Sequence, residues 1–121
     1  MSSSDARIYL LHIRDCCEEL LQCLRLREQG SVPVSILFNA VCRNLEIVGE
    51  ASRKVGVDFR AAHQAIPWRK MNDLRNVLIH QYEGTDADLV WAIVQQDIPS
   101  LLAAVHDLLE AEGEKINGEP L

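Results

Sequence analysis

The chain has 121 residues, 48% of them hydrophobic and 25% charged, with a formal net charge of −6. That is enough for one hydrophobic core of ordinary size, and no apolar run reaches the roughly 18–20 residues of a membrane-spanning helix. The acidity argues against nucleic acid until its distribution is considered: residues 43–82 hold seven basic and four acidic residues, a local +3, while the remainder carries −9. Affinity for phosphate follows the local field, so an acidic protein can still present a basic cleft.

The elements in chain order are all helical. From Asp5 to about Arg27, Ile8, Leu11, Leu20, Leu21 and Leu24 keep a period near 3.6, and Gly30 supplies the stop. Val32, Pro33, Val34 and Ser35 open a second helix that runs to about Lys54, with a broad apolar stripe through Leu37, Val41, Leu45 and Val48. Gly56 ends it, and Asp58 is placed to cap a short extra turn through His63. Ile66, Pro67 and Trp68 start a third major helix that runs to Gln81 or Tyr82. After a turn at Gly84, Thr85 or Asp86 caps the last helix, which Pro99 kinks or briefly breaks without ending it, since the apolar period resumes at once.

No segment alternates as a strand does, and there is no repeat or linker. The expectation is an all-α protein: an up-down four-helix bundle with a short extra helical turn and a kinked last helix. Residues 1–121 form one domain on this reading, with the core over about 5–112 and a frayed tail over 113–121. The first residues carry neither the basic nor the apolar run of a secretory leader, which makes a cytoplasmic protein the default.

Cys16, Cys17, Cys23 and Cys42 form no Cys-x-x-Cys pair and have only His12 nearby. They read as free, buried or half-buried thiols rather than as a zinc site or a disulfide framework. The Glu-x-x-His pairs of carboxylate-bridged metal bundles are absent from the helices. Neither a metal nor another cofactor is expected. Trp68 and Trp91 each lie beside an apolar stripe and read as core or interface residues.

The stretch from Trp68 to Tyr82 carries the chemistry. Met71, Leu74, Val77 and Leu78 share one side of the helix, while Arg69, Asn72, Asp73, Asn76 and His80 form a second stripe at spacings of three and four. Arg75 and His80 are five apart, about 140° around an ideal helix. Histidine titrates near neutrality and passes a proton; arginine offers a fixed, planar charge to phosphate oxygens. Asn76 can orient the histidine or donate to phosphate, and Asp73 can pair with Arg69. RNA brings its own nucleophile, the 2′-OH, so this set suffices for cleavage without metal. The plainer reading is a histidine favouring a helix C-terminus and a surface ion pair.

Arg75, His80 and Tyr82 stand in the spacing Arg-x4-His-x-Tyr, preceded by Ile66-Pro67-Trp68-Arg69. With Ile47 to Ala51 on the second helix and Ile98-Pro99 in the last, this pattern resembles the HepT-like toxins, a branch of the HEPN domains, over roughly residues 5–112. The resemblance implies a helical homodimer that sets two motifs at a shared cleft, and RNase toxicity with Arg75 and His80 as the active pair. Attack by the 2′-OH would leave a 2′,3′-cyclic phosphate and a 5′-hydroxyl, and the resemblance implies an MntA-type nucleotidyltransferase antitoxin that blocks the toxin, in part by adding AMP to the motif tyrosine, here Tyr82. Glu50 is expected to face the same cleft. The alternative is a non-catalytic helical binding subunit of a nucleotidyltransferase.

Overall fold

The computed structural model describes residues 3–81 and 87–117, without the side chains of residues 3–5, 75, 77, 79–81 and 112–117. Every regular element among the described residues is a helix: α1 (Ser3–Gln29), α2 (Val34–Lys54), α3 (Val57–Ala62), α4 (Trp68–Gln81), α5 (Ala87–Gln96) and α6 (Ile98–Asn117). α3 is the short extra turn, and α5 with α6 is the broken last helix.

Local chemistry sets the helix ends. The Gly30 N–H donates to the carbonyls of Leu26 and Arg27 at 3.1 and 3.2 Å. The φ of +69° that this requires suits glycine, and it stops α1. Pro33 precedes α2 with φ −54°, already near the helical value, and its carbonyl accepts from Ile36 and Leu37. At α3 the expected Asp58 cap is not found. Gly56, at φ 90°, holds the cap position with no side-chain bond, and Asp58 lies inside the first turn. There its carboxylate favours the helix dipole instead. The cap proposed for the last helix, Thr85 or Asp86, lies outside the described residues. α6 runs to Asn117, into the stretch read from sequence as a tail.

The break before Pro99 follows from its missing N–H, which removes one i→i−4 bond. Asp97 forms the turn: its N–H donates to Ile93 and its carbonyl accepts from Leu101, so the helical path closes on both sides.

Packing places α1 at the centre, against α2 on one side and α5 and α6 on another, while α4 lies chiefly on α2. The core runs through Leu10, Ile13, Cys17 and Leu20 of α1, Val41, Leu45 and Val48 of α2, and Val90, Val94, Ile98 and Val105 of α5 and α6. Burying each large aliphatic side chain contributes about 1.5–3 kcal/mol, an upper bound because the unfolded chain is already partly compact. Asn44 is buried, its Nδ2 donating to the Ala40 carbonyl at 2.8 Å. Trp68 and Trp91 are both core residues. The Trp68 indole N–H donates to the His63 carbonyl at 2.8 Å, and the Arg27 guanidinium lies 4.5 Å above the Trp91 ring. No described helix is long and apolar enough to cross a membrane.

The four thiols are free; Cys16, Cys17 and Cys23 are buried and Cys42 is half-buried. Burial pushes the Cys16 thiol up to about 11, with the nearby Glu19 and Asp15 carboxylates adding to it. Burial, with Cys16 and Glu18 beside it, pushes Cys17 up to about 12. Cys23 and Cys42 are raised for the same leading reason. Thiols held protonated are poor nucleophiles and poor metal ligands.

Candidate active site on the fourth helix

α4 forms because apolar residues recur every three or four positions behind a proline that sets the first turn. The Pro67 carbonyl accepts from Met71 at 3.0 Å. Trp68, Met71 and Leu74 are buried and Leu78 is half-buried, which fixes the rotation of the helix on α2. Arg69, Lys70, Asn72, Asp73 and Asn76 are exposed.

The helix is continuous from Trp68 to Gln81, so the register read from sequence holds along the backbone. Asp73 and Asn76 stand on one exposed stripe, with the backbone of His80 one turn beyond Asn76. The backbones of Arg75 and His80 are separated by about 7.5 Å of helical rise. Their side chains lie outside the described set, and Tyr82 lies outside the described residues altogether. What α4 offers is a polar edge exposed to solvent and backed by a buried apolar face.

Among the described residues no ion pair joins Asp73 to Arg69. Instead Lys70, one position on, bonds to Asp97 Oδ1 at 2.9 Å and ties the first turn of α4 to the turn between α5 and α6. Their separation of 27 positions hides this bridge from helix-spacing arguments. Glu50 lines a groove between α1 and α2 together with Tyr9 and His12, and no described residue of α4 lines that groove. Helix spacing on α2 alone shows Arg43, Glu46, Glu50 and Lys54 on one face; pairing that face with Tyr9 required the three-dimensional packing.

A family model described as Ribonuclease HepT-like matches residues 13–108. A candidate RNase of Methanocaldococcus jannaschii is 36% identical over 107 residues, which cover 88% of this chain and 98% of that protein. A candidate RNase of Caldanaerobacter subterraneus is 34% identical over 107 residues, covering 88% of this chain and 96% of its own length. The probable ribonuclease HepT of Thermococcus cleftensis is 52% identical over 62 residues, 51% of this chain and 56% of that one. No solved structure matches. The matched span runs from the middle of α1 into α6 and includes the whole of α4, and the chain belongs to the HepT-like ribonuclease family of HEPN proteins.

Proposed function

We propose that the chain is an endoribonuclease, the toxin of a toxin–antitoxin pair, working through Arg75 and His80 without a metal ion. The observation that carries this reading is the family match across residues 13–108, which takes in a continuous α4 with a solvent-exposed polar stripe. In the proposed reaction His80 takes the proton of a ribose 2′-OH. The freed oxygen attacks the adjacent phosphorus, and the bond to the 5′-oxygen of the next nucleotide breaks. Arg75 balances the charge that builds on the phosphoryl oxygens, and the leaving 5′-oxygen takes up a proton. The products are a 2′,3′-cyclic phosphate and a 5′-hydroxyl end.

Asn76, exposed one turn before His80, orients the histidine or the phosphate in this scheme, and Asp73 shapes the field around the stripe. Two copies of the chain set two stripes at one cleft, and a nucleotidyltransferase antitoxin silences them by adding AMP to the Tyr82 hydroxyl. The test is cleavage of total cellular RNA by purified wild-type and His80→Ala protein with EDTA present throughout. Cleavage by the wild type alone, leaving cyclic-phosphate ends, supports the reading. Cleavage lost on chelation and restored by a divalent cation overturns the metal-free mechanism. Protein of unmodified mass that forms a stable complex with a nucleotidyltransferase, yet cleaves nothing, points instead to a binding subunit.

A further inference from the structure

A groove of about 310 Å³ lies between α1 and α2, away from the described residues of α4. Its volume is at the small end of the range for ligand sites. The floor is apolar, formed by Ile47, Ala51 and the half-buried ring of Tyr9. Tyr9 and His12 meet edge to face, with centroids 6.3 Å apart and planes at 83°. The rim on α2 carries charges in the order Arg43, Glu46, Glu50, Lys54: positive, two negative, positive.

That order selects a ligand class. A polyanion lying along the whole rim would meet two carboxylates at its centre. A ligand with an uncharged, donor-bearing middle and anionic ends suits every position. Arg43 and Lys54 are 11 positions apart, which is about 16 Å along the helix. The Arg43–Glu46 contact, at 3.5 Å between side chains 69% and 57% exposed, is the sort that water and ligands readily replace.

We infer that this groove holds a nucleotide of single-stranded RNA, with its base against Tyr9, a base amino group toward Glu46, and flanking phosphates at Arg43 and Lys54. Stacking an unpaired base on an aromatic ring and reading its edge with polar side chains is how single-stranded RNA is recognised in general. Carboxylates at the centre favour bases that present N–H donors, cytosine N4 among them. The inference rests on the reading of the protein as one that acts on RNA. It adds a place where the strand is gripped outside the stripe on α4.

The test uses the full chain and a fluorescent single-stranded oligonucleotide with 2′-O-methyl sugars, which binds but cannot be cut. Tyr9→Leu is expected to weaken binding by about 5- to 100-fold, the usual worth of one stacked base, while Tyr9→Phe keeps it. Lys54→Ala, at an exposed position, is expected to weaken binding and lower the salt dependence by about one phosphate contact. Melting temperatures within a few degrees of wild type separate these effects from misfolding, with Lys54→Ala as the variant least able to disturb packing.

Wild-type binding that neither Tyr9→Leu nor Lys54→Ala alters overturns the groove assignment and leaves the ribonuclease reading untouched. Wild-type cleavage of RNA is measured separately. Groove-dependent binding with no cleavage sustains the groove and removes the catalytic reading. Displacement of the oligonucleotide by free mononucleotides at equal molar strength would assign the groove to a small nucleotide and overturn the RNA strand. No binding at all overturns the inference.

Discussion

α1 and α4 are both amphipathic helices, but their surroundings differ. α1 is enclosed on two sides, by α2 and by the α5–α6 pair, so even the adjacent Cys16 and Cys17, about 100° apart on the helix, are both buried. α4 lies chiefly on α2, and among its described side chains those buried or half-buried, Trp68, Met71, Leu74 and Leu78, stand three and four apart. Asn72, Asp73 and Asn76 face solvent. The inward faces of a helix in the middle of a bundle leave no surface for a substrate, whereas α4 at the side keeps a polar stripe that packing does not constrain. Substitutions at the buried positions of α1 should therefore register as stability, and those on the stripe of α4 as activity.

The sharpest separation comes from His80→Ala. RNA cleavage is expected to fall by about 10²–10⁴-fold, the usual worth of a general acid or base, with thermal stability within about 0.5 kcal/mol of wild type. A large loss of stability would mean that His80 belongs to the packed face and would undo the contrast. Next is Leu20→Ala, in the fully buried part of α1. A cost of about 2–5 kcal/mol is expected from lost burial and the cavity left behind, read by urea unfolding at neutral pH. Loss of activity in proportion to the unfolded fraction, and no further, would keep the two helices' roles apart.

Alkaline pH probes the same enclosure. The Cys16 and Cys17 thiols titrate higher in the folded state than their ordinary value of 9.0, so the folded protein holds protons that the unfolded chain releases. Stability is therefore fully present below about pH 9 and is lost as pH rises from there toward 11–12. Each thiol accounts for about 1.4 kcal/mol at one pH unit above 9. Cys17→Ala should flatten the slope of unfolding free energy between about pH 9 and 10.5; an unchanged slope would break the account.

The smallest effect is expected at the tie between the α4 start and the α5–α6 turn. Lys70→Ala or Asp97→Ala should cost about 0.2–1 kcal/mol, less at high salt, because the pair is substantially exposed. A double-mutant cycle measures the coupling directly.

The helices were legible because their signals are local. Gly30, Gly56, Pro33, Pro67 and Pro99 punctuate the chain at or next to the observed ends, and the 3.6 period assigns the buried face of α2; on α1 it does not, since of the residues read as its apolar stripe only Leu20 is buried, Ile8 is exposed, and the core line runs instead through Leu10, Ile13 and Cys17. Asp58 was misplaced because Gly56, read from sequence only as the end of α2, also caps α3 at a positive φ, two positions earlier. The stripe on α4 was legible for the same local reason, as a register along one helix. Lys70–Asp97, Arg27 over Trp91 and the groove beside Tyr9 each join elements far apart in sequence, and helical periodicity says nothing about which faces meet.

The two tryptophans make the α1–α4 contrast visible in light. Trp68 opens α4 and bonds to the loop before it, while Trp91 lies under Arg27 of α1 and 6.3 Å from the Phe38 ring of α2. In the single-tryptophan proteins made by Trp68→Phe or Trp91→Phe, the remaining indole's emission reports one region alone. Coincident denaturation curves would mean that α4 and the central bundle melt as one cooperative unit. A Trp68 signal that shifts first would show α4 detaching while the rest of the bundle still holds.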